Sequence, residues 1–270
     1  MGEVRQHRVE RRNRAKHATL LAVAWKLMVL FAWVASGCTT IQTDVATPWE
    51  VRELEVPLFV HVATTGDGPV VDRARIDADV ARTNAELDVQ GIRFVVARVE
   101  QLEIGHAVLQ AREQRAEFAR RIEDHGALHV FYVRKCSVPR KGNVDQRVSG
   151  LHWIYRGLRQ DLRHRMYLVV AHDAPSTTLA HEIGHALGLD HAFEGRQMEP
   201  WVADDLYTIM GGELSWSTGE GGQSPAQMMI YDIAALQHLY GANMATRAGD
   251  NVYRFDDDTQ VFETIWDAGG

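Results

Sequence analysis

The sequence predicts an α+β fold, and its composition and the order of its apolar patterns carry that prediction. The chain has 270 residues, of which 46% are hydrophobic and 24% are charged. These are the proportions of an ordinary globular domain with a sizeable core. Patterns typical of strands alternate with helical patterns in the first part of the chain, and a helical pattern follows near its end. This β-α-β order predicts a sheet backed by helices.

Apolar, β-branched stretches predict the strands of this sheet at residues 57–63, 92–99, 128–133 and 166–172. Between the first two strands, residues 73–87 show a helical pattern, and residues 111–124 predict a second, charged helix.

The last helix is predicted over about residues 225–240. A Ser-Pro pair at 224–225 suits a cap and first turn, and Gly241 closes the helix. Its apolar residues recur at helical spacing, which predicts core packing for Met229, Ile233, Leu236 and Tyr240.

The N-terminus has the layout of an export signal. Seven Lys and Arg residues precede an apolar run at 27–34, and three small residues, 35–37, then precede Cys38. This resembles a bacterial lipoprotein signal, which implies that residues 1–37 are removed and that Cys38 is lipidated and anchors the mature protein. Thr39 after the cysteine favours the outer membrane in that family of signals, facing the periplasm or the exterior. Residues 38–49 are then a tether.

Two other interpretations of the N-terminus stay open. Residues 20–37 could form an uncleaved membrane helix, although Lys26 near its centre would cost about 2.5 to 3.5 kcal/mol. An ordinary secretory signal without lipid is the other. All three export the domain. Beyond the basic segment the chain is strongly acidic, which argues against nucleic acid as a partner. Cys136 has no second exported cysteine once Cys38 is acylated, so no disulfide is expected.

The run from His181 to His191 has the spacing of a catalytic zinc site. His181 and His185 are four residues apart, so on a helix both imidazoles lie on one face. Glu182 can reach a water on the metal without binding the metal itself. Gly188 can take the left-handed conformation that ends the helix and brings His191 to the same metal. Three protein ligands leave the fourth position of zinc open, as catalytic sites do.

A bare His-Glu-x-x-His is weak evidence, but the glycine and the third histidine at their spacing make an accidental match rare. The alternatives are a polar helix with solvated histidines and a zinc site without catalysis; the second normally closes its fourth position with Cys or a further His.

This motif resembles that of the metzincins, which also carry a methionine turn beneath the zinc; Met210 in the segment 207–212 matches that methionine. Segments 174–180, 231–243 and 264–270 further resemble serralysins, and the resemblance covers about residues 165–270. It implies a zincin fold: a twisted mixed sheet with helices above a cleft, and a smaller, mainly helical lower half. Residues 50–245 would form the catalytic domain, and 246–270 would resemble the start of the serralysin C-terminal region.

The resemblance implies a zinc metalloendopeptidase that uses one catalytic Zn²⁺. Zinc would lower the pKa of its water, and Glu182 would act as general base on extracytoplasmic proteins or peptides. Gly212 stands where serralysins have a tyrosine that can stabilise the oxyanion, so that role is unassigned. Serralysins continue into a calcium-binding roll; the sequence has no such repeat, and no calcium roll is expected. The alternative function is a catalytically silent zinc-binding envelope lipoprotein acting as a binding module.

The substrate is expected to pair with an edge strand, whose main chain would bind an extended peptide with little demand on sequence. The segment in the corresponding place is Ser149, Gly150, Leu151, His152 and Trp153. The alternative is an ordinary strand or loop. His152 is interpreted as a residue at the rim of the site and not as a ligand.

Overall fold

The computed structural model describes residues 54–103, 108–109, 118, 120, 122, 126–139, 145–154, 166–193, 198–199, 203, 206–211, 227–254 and 263–269. All of them lie within one compact unit, Trp49–Gly270. The predicted signal and tether, with Cys38, lie outside the described residues, and the predicted domain boundaries stay predictions. None of the helices in these ranges has the length and apolar character that a membrane crossing requires.

Strands and helices alternate in the first half of this unit. In chain order the elements are β1 Leu54–Thr65, β2 Gly68–Pro69, α1 Arg73–Leu87, β3 Ile92–Glu103, β4 Val108–Leu109, β5 Leu128–Val133, β6 Lys135–Pro139, β7 Asp145–Val148, β8 Gly150–Ile154, β9 Met166–Ala171, α2 Thr178–Leu187 and α3 Ile230–Tyr240.

The main sheet has six strands in the order β2-β1-β5-β9-β8, with β3 paired to β1. Strands β1, β3, β5 and β9 are parallel, whereas β8 runs antiparallel to β9 and β2 antiparallel to β1. A second sheet holds β4, β6 and β7. The predicted α+β class with a mixed sheet is therefore confirmed. Among the described strands β8 pairs only with β9, so it forms one edge of the main sheet.

The main sheet is buried on both faces, because successive side chains of a strand point to opposite sides. Leu58 and Val60 of β1 and Val130 of β5 pack in the larger core cluster, to which α1, α2 and α3 also contribute. Phe131 of β5 belongs to a second cluster on the other face, which also holds Cys136. Cys136 is 0% exposed, so its thiol side chain packs as a small apolar group.

Helix α1 spans the predicted range because local signals define its start. The side chain of Asp72 caps it by accepting a hydrogen bond from the N–H of Arg75 at 2.8 Å. The strands predicted at 128–133 and 166–172 are confirmed to within a residue, whereas those predicted at 57–63 and 92–99 are longer at one or both ends. Of the helix predicted at 111–124, the structure describes only residues 118, 120 and 122.

The predicted start of the last helix at residue 225 is wrong, because α3 begins at Ile230. Met229 precedes it in an extended conformation, with φ −98° and ψ −179°. The side chain of Asp232 accepts the N–H of Met229 at 2.8 Å and fixes the helix start there. Tyr240 is also not a core residue: it is 40% exposed and its hydroxyl donates to the Leu187 carbonyl.

Candidate active site

Helix α2 presents two of the three predicted ligands. His181 and His185 are both partly buried on it, with ring centroids 4.9 Å apart. The preceding strand β9 is buried along most of its length and delivers the chain to the helix start. The two imidazoles thus lie one helical turn apart, on the same face, as the spacing predicts.

The third histidine reaches the site through a turn at Gly188. Gly188 ends α2 with φ 111° and ψ 6°, in the left-handed region, and its N–H bonds to the carbonyls of Gly184 and His185. The next residue, Leu189, donates to the Gly184 carbonyl at 2.9 Å. This closing pattern reverses the chain and returns His191 to the face of the helix that carries the other two rings.

The three histidines form a set of metal donors. One ligand atom from each of His181, His185 and His191 lies within 4.8 Å of the other two. His185 Nε2 and His191 Nε2 are 3.2 Å apart. Two nitrogens bound to one tetrahedral zinc at its usual bond length are separated by about 3.3 Å, so this pair fits the ion. The all-imidazole donor set also suits zinc, since neutral imidazole is among its preferred ligands.

Hydrogen bonds fix the tautomer of two of the imidazoles. His181 donates from Nδ1 to the Ile209 carbonyl at 2.6 Å, and His185 donates from Nδ1 to the Leu189 carbonyl at 2.8 Å. In each ring the proton therefore sits on Nδ1, and Nε2 keeps its lone pair for a metal. Burial, and next the charge of His185, lower the pKa of His181 to about 4, so this ring is neutral at neutral pH.

Met210 lies directly beneath α2. It is 2% exposed. A side-chain carbon placed on Gly184 would lie 3.1 Å from its sulfur, so the helix approaches the methionine closely at that glycine. Met210 therefore packs against the helix that carries His181 and His185.

Asp232 holds the turn that contains Met210. Its carboxylate accepts hydrogen bonds from the Thr208 hydroxyl at 2.5 Å and from the Ile209 N–H at 2.8 Å. The Met210 N–H in turn donates to the Thr208 hydroxyl at 2.9 Å. The Ile209 carbonyl accepts the Nδ1 proton of His181. By holding Ile209, Asp232 therefore fixes the hydrogen-bond acceptor of a predicted zinc ligand. Sequence reasoning missed Asp232; its place in the first turn of α3 was the available signal.

Glu182 is buried beside the histidines. It is 4% exposed, and its Oε2 atom has no hydrogen-bond partner among the described residues. Burial raises the pKa of this carboxyl to about 8. A divalent cation held by the three imidazoles would favour the ionised form, because an opposite charge close by lowers the pKa of a carboxyl.

Strand β8 borders the histidines and Glu182. Its residues Gly150–Ile154 include four of the five predicted for substrate contact, and the fifth, Ser149, precedes the strand. The ring of His152 stacks on that of His185, with centroids 5.8 Å apart and an interplanar angle of 20°. The edge strand predicted from the sequence therefore lies next to α2.

An aromatic side chain that the sequence did not single out adjoins the third histidine. Phe193 stacks on His191, with ring centroids 4.8 Å apart and an interplanar angle of 14°. It is 40% exposed, so part of this apolar ring next to His191 faces solvent. No spacing rule marks this position, because Phe193 lies outside the helix and outside the motif.

Comparisons with known proteins show what this part of the chain is similar to. No protein-family model matches the chain. The chain is 40% identical over 111 residues to serralysin A of Dickeya chrysanthemi, with 34% of this chain and 24% of the relative covered. It is 34% identical over 117 residues to serralysin of Proteus mirabilis, with the same coverage. Metalloprotease AprA of Pseudomonas entomophila is 38% identical over 120 residues, with 34% of this chain and 25% of the relative covered.

The chain contains a serralysin-like metzincin domain. It spans about a quarter of the length of the curated relatives it matches. Among solved structures, metalloproteinase-II from Bacteroides fragilis aligns with a TM-score of 0.35 and 14% identity, over 53% of this chain and 44% of that one.

One feature of the metzincin domain lies beyond the described residues. Gly212, at the position where serralysins carry a tyrosine, falls outside them, whereas Met210 and Gly211 are described.

Proposed function

We propose that this chain is a zinc-dependent endopeptidase that hydrolyses peptide bonds of extracytoplasmic proteins or peptides. The observation that carries the proposal is the convergence of His181, His185 and His191 next to the buried carboxyl of Glu182. Three imidazoles with an adjacent carboxyl form the constellation that hydrolytic zinc sites use. The likeness to serralysins supports the same reaction.

The residues divide the chemistry between them. His181, His185 and His191 would hold one zinc ion, which when bound supplies a Lewis acid and lowers the pKa of coordinated water. Glu182 acts as general base: its carboxylate takes a proton from the attacking water and passes it to the leaving amine. The low exposure of Glu182 excludes bulk water, which strengthens the electrostatic effect of the carboxylate on the reacting atoms.

Strand β8 supports the proposed mode of substrate binding. Among the described strands it is an edge of the main sheet, and the outer backbone groups of an edge strand can pair with an extended peptide. Residues Ser149 to Trp153 would provide that main-chain pairing. His152 and the half-exposed Phe193 border the metal site and are the side chains placed to select among substrate residues.

The proposed location is the cell envelope. The basic segment, the apolar run and the small residues before Cys38 support export and lipidation, with the catalytic domain held at the outer membrane, facing the periplasm or the exterior. A multiply acylated cysteine anchors firmly, because each buried CH₂ group adds about 0.8 kcal/mol.

Removal and return of the metal test the proposed function. The purified protein should contain one zinc and release peptides from an unfolded protein. A zinc chelator should abolish this activity, and one equivalent of zinc should restore it. Peptide release is followed by mass spectrometry, and zinc content by elemental analysis.

A pair of histidine variants provides the control for this experiment. His191→Ala should lose both zinc and activity. His238→Ala should keep both, because His238 is exposed on α3 and has no part in the site. A wild-type protein that binds zinc but cleaves nothing would contradict the peptidase and favour a binding module.

A further inference from the structure

The main sheet approaches helix α2 closely at Gly150. Strand β8 packs beside α2, and Gly150 faces Glu182 and Thr178 on that helix. A Cβ atom at position 150 would lie 2.7 Å from the Thr178 methyl carbon and 2.8 Å from Cγ of Glu182, and closer still to Oε1 of Glu182. Carbon atoms in contact are normally about 3.5 to 4.0 Å apart.

Gly150 is required for space and not for its backbone conformation. Its φ angle does not lie in the left-handed region, so an L-residue could adopt its backbone. The obstacle is the side chain of Glu182. Rotation about its outer bonds can move Oε1, but the position of Cγ is set by χ1, for which a helix permits few values.

The pairing of β8 keeps Gly150 opposite Glu182. Gly150 pairs with Val170 of β9 and His152 with Leu168, so both residues point to the face that α2 covers. Next to this pair, the Ala171 N–H donates to the Ser149 carbonyl at 2.8 Å. A shift by one residue would place a side chain over Glu182, which gives the register a direct link to the active site.

We propose that Gly150 is a positioning residue for Glu182: the bare backbone of β8 confines the carboxyl of Glu182 to the position from which it serves the metal site. The inference rests on the proposed role of Glu182 as general base. His152 extends the same arrangement, since it lies two residues further on and stacks on His185. Strand β8 therefore sets the geometry of α2 side chains in addition to offering its edge to a peptide.

The first test measures kinetics of Gly150→Ala. A displacement of about 1 Å at a catalytic group can cost about 100-fold in rate, so kcat should fall by about that factor while KM changes little. Zinc content should stay at one per chain, because the three atoms nearest to a Cβ at position 150 belong to Glu182 and Thr178 and not to the three histidines. Gly66→Ala is the matched control, since a Cβ there meets nothing within 4 Å.

The second test measures the contact without relying on activity. Gly150→Ala should lower the melting temperature by about 2 to 10 °C, as overpacking does in a domain of this size. In a Glu182→Ala background the same substitution should cost less, because two of the three close contacts are gone. A thermodynamic cycle over the four proteins gives the coupling between the two residues.

A third variant separates positioning from plain packing. Thr178→Ser removes the methyl carbon that a Cβ at position 150 would meet. If Gly150 positions Glu182, Gly150→Ala should stay impaired in kcat in this background. If Gly150 only makes room for Thr178, Thr178→Ser should restore kcat, and the proposal would be wrong.

The proposal and the proposed function fail in different ways. Two results would overturn the proposal and leave the proposed peptidase function intact. One is a folded, zinc-loaded Gly150→Ala protein with the kcat of the wild type. The other is an equal loss of melting temperature with and without the Glu182 side chain. A wild type without peptidase activity would overturn the proposed function, and the stability cycle would still decide whether Gly150 and Glu182 are coupled.

Discussion

Asp232 shows how single residues outside the ligand set hold the metal site. Its carboxylate fixes the Thr208 hydroxyl and the Ile209 N–H, and the Ile209 carbonyl accepts the Nδ1 proton of His181. Burial raises the pKa of Asp232 to about 6, although its hydrogen bonds oppose that rise. A buried carboxylate with this many donors orients the imidazole through one intervening residue.

Asp232→Asn should weaken zinc binding about tenfold, because the amide loses one acceptor oxygen and the Ile209 carbonyl is held less firmly. Competition with a coloured zinc chelator measures the affinity. Asp77→Asn, which breaks only an exposed pair with Arg73 on α1, should leave zinc affinity unchanged. Equal affinities of the wild type and the Asp232 variant would show that this network does not orient His181.

The secondary-structure elements are tied together where α1 ends. Glu86 near that end accepts the Met228 N–H at 3.0 Å, just before α3 begins. The carbonyl of Asp88 accepts hydrogen bonds from the side chains of Asn243 and Thr246, which follow α3. Both ends of α3 are thus fixed to the same part of α1, although the three segments are far apart in sequence.

Glu86→Gln should change how stability depends on pH. Burial raises the pKa of Glu86 from 4.5 to about 7. Between these values the unfolded chain is ionised while the folded protein keeps the proton, so the free energy of unfolding falls as pH rises, by up to about 1.4 kcal/mol per unit. Glutamine cannot ionise, so the Glu86→Gln protein lacks this part of the pH dependence of the free energy of unfolding.

Urea unfolding at pH 5 and pH 8 measures the effect. The wild type should lose about 2 kcal/mol more than the Glu86→Gln protein between the two pH values. The histidines are common to both proteins, so their titration cancels in the difference, whereas the charge of Asp232 helps to raise the pKa of Glu86 and is part of the measured effect. If the free energy of unfolding changed equally in the two proteins between pH 5 and pH 8, Glu86 would already be ionised at pH 5 in the folded state.

At the scale of the whole molecule, the folded domain follows an N-terminal segment of quite different composition. Seven basic residues and an apolar run precede Cys38, whereas acidic residues predominate afterwards. Cys136, the other cysteine, is buried in the second core cluster. Cys38 is therefore the cysteine proposed for lipidation.

The mature protein should begin at an acylated Cys38 and fractionate with membranes. Mass spectrometry of the mature N-terminus is the measurement. Cys38→Ser should abolish acylation, and Cys136→Ala should leave it intact. Retained residues 1–37 would indicate a membrane helix instead, and an unmodified N-terminus at another position would indicate an ordinary secretory signal.

Features that depend on local sequence were predicted better than features that depend on contacts between distant parts of the chain. The bounds of α1 follow from a cap at Asp72, and the turn at Gly188 follows from a glycine in the left-handed region. The start of α3 could not be predicted in the same way, because Asp232 fixes it while also serving the Met210 turn. The contact of Gly150 with Glu182 needs the register of β8, which no local pattern encodes.

The hydrolysis rate of a Glu182→Gln variant tests the central claim most directly. Glutamine keeps the size of the side chain but cannot take a proton, and Glu182 is not among the proposed ligands. The variant should retain one zinc and release peptides from an unfolded protein at least about 100-fold more slowly than the wild type. Equal peptide release by the two zinc-loaded proteins would contradict the role of Glu182 as general base.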